Sequence, residues 1–148
     1  MYSFSALLIS SLLAFVPSVT RDIGRACAGN SAGALAKLLS PTAGLHVSLP
    51  DPISFSDRLS QEQAYFLFER IFAVHRTFEF VPERELTLIP GKPGFIFKAR
   101  WSFRDTRNDN PYLFRVFFYI MPRQRAPAAG GPSPRAEWEI LEIKAERL

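Results

Sequence analysis

The sequence predicts an α+β domain in which N-terminal helices pack on a curved antiparallel sheet. Two observations support this fold class. Before Thr77 apolar residues recur mostly at helical intervals, whereas after Thr77 they alternate with a period of two. Helices that precede a run of antiparallel strands cover one face of the sheet. A chain of 148 residues, 47% of them hydrophobic, is long enough for one such domain with its own core.

The helical periodicity predicts three helices in the first half of the chain. The segment Val19–Asn30 repeats apolar residues every four positions, and a second short helix follows over Ser31–Leu39. The third and strongest helix, about Gln61–Val74, opens with the capping-box sequence SQEQ, a hydroxyl followed three residues later by an amide. Its apolar stripe should face the core and consists of Ala64, Leu67, Phe68, Ile71 and Phe72.

Strand signals begin between the helices and dominate after the third one. Alternating apolar residues predict a first strand at Leu45–Leu49, and a Pro-rich loop follows it. After the third helix, the strand FEFVPERELTLIP is interrupted at Pro82, where an edge position or a bulge tolerates the missing amide hydrogen. The next strand, GFIFKARWSF, places Lys98 and Arg100 on the exterior of the sheet. Its opposite face should pack on the long helix and presents Phe95, Phe97, Ala99, Trp101 and Phe103.

The last part of the chain completes the sheet. The strand Pro111–Met121 is apolar on both faces except at Arg115, which places it near the centre of the sheet. The segment Pro122–Arg135 is rich in Pro, Gly and Ala and predicts a mobile loop, whose role the sequence leaves open. The final strand, EWEILEIKAER, closes the sheet.

The N-terminal segment raises the question of export. Residues Phe4–Val16 form an apolar run of about 13 residues, which suits a signal-peptide core and is shorter than the roughly 20 residues of a membrane span. We expect residues 1–18 to be a signal peptide or an N-terminal apolar segment, residues 19–148 to be a single domain, and the protein to be periplasmic or secreted. Because no Lys or Arg precedes the run, a retained first helix and a cytoplasmic protein stay open as the alternative. No stable transmembrane span is expected.

The composition narrows the classes of site that the chain can build. Fourteen phenylalanines indicate a core or pocket made of aromatic rings, and the net charge of +4 is only mildly basic. Cys27 is the only cysteine, which excludes an intrachain disulfide and a zinc site made of cysteines. His46 and His75 are the only histidines, so a histidine-rich metal cage is not expected. We therefore predict no metal site and no cofactor.

The order of these segments resembles a known group of proteins. The stretches that support the resemblance span about Ile23–Arg147 and read GNSAGALAKLLSP, LHVSLPD, FSDRLSQEQAYFLFERIF, TFEFVPE, LFRVFFYI and WEILEIKAE. They resemble the nuclear transport factor 2-like superfamily and, within it, small exported bacterial proteins grouped as domain of unknown function 4783. The chain departs from that group in its inserted QRAPAAGGPSPR and in its less clear signal peptide. The resemblance implies a cone-shaped α+β fold with a curved sheet over helices, and it implies no reaction.

The resemblance also suggests where a pocket would lie. Related enzymes, such as ketosteroid isomerases, use Asp, Glu, His or Tyr in the mouth of the cone for acid–base chemistry. The pocket candidates are Tyr65, Glu69, His75 and Trp101, and Arg100 and Arg115 are further candidates on the strands. The residues themselves also allow a solvated helix face for Tyr65 and Glu69 and a helix cap for His75. With no Ser-His-Asp order, phosphate-binding loop or metal spacing, no catalytic residue is predicted.

The exterior of the sheet suggests self-association. Leu113, Phe117 and Tyr119 alternate along one face of a central strand, and exposed apolar patches of this kind mark association sites. In this superfamily such a patch implies a homodimer through the sheet, with Arg115 as a charge inside the interface. We expect Arg115 to pair with Glu139 or Glu142 of the closing strand.

Nucleic acid is not expected as a partner. Eight basic and two acidic residues lie between Lys92 and Arg125, and aromatic residues beside cations are typical of single-strand binders. Most of these rings should, however, be buried, and the acids of the closing strand can pair with the cations across the sheet.

We therefore expect a non-catalytic, exported ligand-binding or assembly module. The ligand would be small and apolar. The alternative is a small lyase or isomerase that acts on an apolar carbonyl compound in the cone. A cavity lined only by Phe and Leu would favour binding or packing, whereas two convergent ionisable groups would favour catalysis.

Overall fold

The computed structural model describes residues 18–123 and 138–148. The expected signal peptide, apart from Ser18, and most of the expected loop at Pro122–Arg135 lie outside this part of the chain. Residues 18–28 are helical and belong to helix α1. The other helices are α2 (Ala32–Ala36) and α3 (Gln61–Val74).

Seven strands of the described residues form one curved, open sheet. They are β1 (Leu45–Leu49), β2 (Phe55–Leu59), β3 (His75–Pro82), β4 (Thr87–Leu88), β5 (Phe95–Asp105), β6 (Pro111–Pro122) and β7 (Trp138–Arg147). Their order across the sheet is β2-β1-β7-β6-β5-β3, and β4 pairs with β5. The α+β prediction is confirmed.

Two features of the sheet were not anticipated. The pairing of β1 with β7 is parallel, whereas every other pair in the sheet is antiparallel. Strand β2, which the sequence placed in a Pro-rich loop, pairs with β1 at the edge of the sheet. Its three central residues are exposed, so it lacks the alternating burial that identifies a strand from sequence.

Local capping fixes the limits of the long helix α3. The Ser60 hydroxyl accepts a hydrogen bond from the Gln63 amide at 3.1 Å, and the Gln63 side-chain oxygen accepts one from the Ser60 amide at 2.9 Å. This is the predicted capping box. The helix ends at Val74, and the backbone amide of the next residue, His75, donates to the Ile71 carbonyl. His75 is also the first residue of β3.

The helices and the inner face of the sheet enclose the core. The ring of Phe72 on α3 packs edge-on against Trp101 on β5, with ring centroids 6.3 Å apart. Trp101 and Phe103 are buried on the same strand face, as predicted from the alternation of β5. In α1, the four-residue repeat places Val19, Ile23 and Cys27 in the same core.

The other face of the sheet, called the outer face below, is chemically mixed. On β6 it presents the half-buried side chains of Leu113, Phe117, Tyr119 and Met121, with Arg115 among them. This alternation agrees with the sequence prediction, since Phe114, Val116, Phe118 and Ile120 on the opposite face are buried.

Candidate functional site

The interior of the cone is almost filled by side chains. Between the helices and the inner face lies a cavity of about 20 Å³. Sites for small molecules measure roughly 300–1,000 Å³. A volume of this size admits about one water molecule, and an apolar cavity stays dry. The described residues that line it are Cys27, Leu35, Leu49, Phe68, Phe72, Phe80, Trp101, Val116, Phe118 and Ile143.

The described residues that line this cavity include few groups that could take part in catalysis. Cys27 is its only ionisable group among the described residues, and burial raises the pKa of this thiol to about 12. The thiol is therefore protonated at neutral pH and is a poor nucleophile. The indole N–H of Trp101 donates to the Thr77 hydroxyl at 2.7 Å, so its polar atom is already satisfied. No pair of convergent ionisable groups faces this space in the described part of the chain.

Of the four pocket candidates, Trp101 lines the cavity and the other three lie outside its lining. Tyr65 is half-buried beside α2, and Glu69 is exposed one turn further along α3. The Glu69 carboxylate accepts a hydrogen bond from the Tyr65 hydroxyl, and this bond raises the pKa of Tyr65. The two residues thus form the helix-face pair that their spacing allowed.

His75 lies in a second group of ionisable residues at the end of β5. It is buried, and its ring packs edge-on against Phe103 at a centroid distance of 5.3 Å. Burial lowers the pKa of His75, so the neutral imidazole is favoured. Its Nδ1 atom has no hydrogen-bond partner among the described residues.

Asp105 and Arg107 complete this group, and sequence reasoning did not single them out. The Asp105 carboxylate is buried and accepts three bonds from Arg107, from the backbone amide (2.9 Å), Nε (3.0 Å) and Nη2 (2.7 Å). These bonds lower the pKa of Asp105 to about 2. Continuing the β5 alternation by two residues beyond Phe103 would have placed Asp105 inside. The ion pair closes the turn between β5 and β6, which is a structural role.

On the outer face, the predicted partner of Arg115 was wrong. Arg115 Nε lies 3.0 Å from Glu83 Oε1, and its Nη1 lies 3.4 Å from Glu146 Oε1. The strand register places Glu146 opposite Arg115, while Glu142 lies opposite Tyr119. Glu139 lies near the start of β7 and pairs with Arg123 at 3.4 Å.

The apolar stripe of β6 separates two edges of different charge. On the β5 side, the outer face presents Lys98, Arg100 and Arg104 of β5, with Glu83 near Arg100 and paired with Arg115. On the β7 side it presents Glu142 and Glu146, with Lys144 between them. Lys144 lies 3.3 Å from Glu142, so this cation is already neutralised. The outer face therefore combines apolar surface with charges of opposite sign on its two sides.

Comparison with known proteins identifies the fold. No protein-family model and no curated protein matches the sequence. A DUF4783 family protein from Bacteroides ovatus superposes with a TM-score of 0.62 at 12% identity, over 86% of this chain and 93% of the other. A ketosteroid isomerase-like protein from Erwinia carotovora atroseptica gives 0.66 at 10% identity, over 92% and 95% of the two chains.

A nuclear transport factor 2-like protein from Cytophaga hutchinsonii gives a TM-score of 0.61 at 10% identity, over 90% and 95% of the two chains. The fold is therefore that of the nuclear transport factor 2-like and ketosteroid isomerase-like proteins, as the sequence resemblance implied. Likeness at such low identity establishes architecture alone. Within the described residues, no group of His, Cys, Asp and Glu could hold a metal ion, and no helix could cross a membrane.

Proposed function

We propose that this protein is a non-catalytic assembly module whose outer face pairs with a second copy of the chain. The observation that supports the proposal is the apolar stripe of Leu113, Phe117, Tyr119 and Met121 along a central strand, covered by no described helix. A solvated outer face of an antiparallel sheet is normally polar along its length. Apolar surface in this position, interrupted at the ion-paired Arg115, favours a protein interface.

The charges beside the stripe favour one arrangement of the two copies. A two-fold interface brings the same surface of each copy together. An axis parallel to β6 would place the β5 edge of one copy over the β7 edge of the other. Lys98, Arg100 and Arg104 would then face the β7 edge, where Glu146 and the Glu142–Lys144 pair together leave one net negative charge. An axis across the strands would instead place the cationic edges together, which opposes pairing.

Sedimentation of the wild type and of Phe117→Glu tests this proposal. The wild type should be a dimer at micromolar concentration, and the variant a folded monomer. A glutamate at this position would lie between Lys98 and Lys144 of the same chain, so the monomer should tolerate it. In the dimer, the same carboxylate would be buried against apolar surface. Phe66→Glu, on the exposed side of α3, is the matched control and should remain dimeric.

A wild type that sediments as a monomer at tens of micromolar would refute the assembly proposal. A dimer that survives Phe117→Glu would show that the two copies meet through another surface. Circular dichroism of each variant separates loss of pairing from loss of folding.

The alternative of a lyase or isomerase acting on an apolar carbonyl compound has only the fold in its favour. Among the described residues that line the cavity there is no acid and base pair that could move a proton. A small apolar ligand inside the cone would likewise require core side chains to move, because the present volume holds about one water molecule.

We also propose that the protein is exported. The support for export is the apolar run Phe4–Val16 and its length. Intact-mass measurement of the protein from its own cells should give a chain that begins near Val19. A mass that includes Met1 would instead indicate that the segment is retained and the protein cytoplasmic.

A further inference from the structure

A groove of about 520 Å³ crosses one end of the outer face, and it is called the outer groove below. Its floor is apolar and contains Tyr119 and Met121 of β6 and Leu141 of β7. Ile89 and Lys92, from the turn between β4 and β5, form one wall. The volume lies within the range of small-molecule sites, unlike that of the cavity inside the cone.

The register of the strands determines which side chains line the groove. Arg58, His46, Glu142 and Tyr119 are neighbours in one row across β2, β1, β7 and β6. At about 4.8 Å per strand, this row is roughly 14 Å long. The register shifts by one residue between Tyr119 and Ile120, which leaves Leu141 unpaired opposite them. Because of this bulge, the consecutive residues Leu141 and Glu142 both line the groove, and bulges commonly redirect side chains in this way.

Two cations of the groove have no acidic partner in the described part of the chain. Arg58 is exposed, and its Nη2 donates to the Ala43 carbonyl at 2.7 Å, which fixes the guanidinium and leaves its other donors available. Lys92 is exposed and forms no ion pair there. The acid of the groove, Glu142, is neutralised by Lys144 at 3.3 Å and lies 3.5 Å from His46 Nδ1. The groove therefore attracts negative charge.

We propose that the outer groove binds a small amphiphilic carboxylate, with an aliphatic or aromatic body attached to one anionic group. The carboxylate would accept hydrogen bonds from the Arg58 guanidinium, whose planar donors match its two oxygens, while Lys92 in the wall beside β6 adds positive charge to the groove. The apolar body would lie on Tyr119, Leu141 and Met121. The two segments outside the described residues contain few acidic side chains that could compete with the ligand for these cations. Segment 1–17 contains no Asp or Glu, and segment 124–137 contains only Glu137.

This site shares Tyr119 and Met121 with the apolar stripe of the proposed dimer interface. The turn that contains Ile89 and Lys92 forms the groove wall at the Tyr119 end of β6, whereas Leu113, Arg115 and Phe117 occupy the other end. Phe117→Glu changes only the other end of the stripe and should be a monomer with Tyr119 and Met121 uncovered, so it should bind the same ligand at least as tightly as the wild type. Failure of ligand binding in this monomeric variant would overturn the groove proposal and leave the dimer proposal unaffected, whereas failure of dimerisation would leave the groove intact.

Titration of the full-length ¹⁵N-labelled protein with octanoate tests the proposal. The amide signals of Gly44, Lys92 and Leu141 should shift, and those of Cys27 and Phe72 inside the cone should not. The double variant Arg58→Met with Lys92→Met should bind octanoate at least about tenfold more weakly, because it removes the charge-assisted hydrogen bonds of Arg58 and the positive charge of Lys92. The control, Arg21→Met with Lys37→Met, makes the same change of charge at exposed positions outside the groove lining and should bind like the wild type.

Two further probes separate the parts of the ligand. Octanol and acetate should each bind much more weakly than octanoate, because each lacks one half of the recognised chemistry. Equal binding of octanol would overturn the role of the cations, and equal binding of acetate would overturn that of the apolar floor. Shifts confined to the interior of the cone, unchanged affinity in the double variant, or no binding at millimolar octanoate would each overturn the proposal.

Discussion

Phe72 tests whether the cone is a packed core or a ligand pocket. Its side chain is 3% exposed, lines the small interior cavity and packs against Trp101. Replacing it with alanine removes the ring and joins the new void to the existing 20 Å³. If the cone is a packed core, Phe72→Ala should be strongly destabilising and should create an apolar cavity that the wild type lacks.

The size of the effect follows from the void. A space on the order of 150 Å³ is enough to bind benzene, and a cavity of that size at about 24 cal/mol per Å³ corresponds to about 3.6 kcal/mol. The edge-on contact with Trp101 adds about 0.5–1.5 kcal/mol. We therefore expect Phe72→Ala to lower the free energy of unfolding by about 4–5 kcal/mol, at the upper end of the usual range of roughly 3–5 kcal/mol for this substitution.

Urea unfolding with and without benzene measures both consequences. Benzene at about ten times its Kd should restore about 1.4 kcal/mol to the variant and nothing to the wild type. Phe66→Ala is the control on the same helix; its ring is 53% exposed, and the loss should stay below about 1 kcal/mol. A loss under about 1.5 kcal/mol for Phe72→Ala, or equal stabilisation of the wild type by benzene, would refute the packed-core interpretation.

Three other substitutions test local features. Ser60→Ala should lower stability by about 1 kcal/mol in urea unfolding, because it removes the capping box with Gln63, and a neutral result would show that the cap contributes nothing. Gly94→Ala should cost more than about 2 kcal/mol, because a Cβ at this position would collide with the Ile120 carbonyl; wild-type stability would contradict the close approach. The pKa of Asp105 is lowered to about 2, so its contribution to stability is present above its ordinary pKa near 4 and is lost as pH falls towards 2. Asp105→Asn should therefore flatten the pH dependence of stability in that acidic window, and an unchanged profile would assign the dependence to other groups.

Local signals predicted most of the elements. The capping box and the apolar stripe gave the bounds of α3, because they depend on residues within a few positions of each other. Alternation gave β1, β5 and β6 and the side of the sheet that each side chain occupies. Strand β2 gave no such signal, since it lies at an edge with its central residues exposed.

The pairing and the register of strands that lie far apart in the sequence could not be predicted from the sequence. The partner of Arg115 depends on how β7 aligns with β6, and the bulge at Leu141 shifts that alignment by one residue. The parallel pairing of β1 with β7 joins segments almost a hundred residues apart, as in His46 opposite Glu142. The outer groove could not be predicted for the same reason, because its row of side chains exists only once four strands are aligned.

The position of β7 in the sheet has a consequence for how the chain folds. In the sequence, β7 comes after the six other described strands. In the sheet, however, it lies between β1 and β6 and joins the β1–β2 hairpin to the rest of the sheet. During synthesis, the β1–β2 hairpin and the sheet formed by β3–β6 therefore have unpaired strand edges until β7, a strand of ten residues, has been synthesised. Such long-range closure slows folding, and the open edges are prone to aggregation in the meantime. Chains truncated before Trp138 should accordingly accumulate as insoluble protein.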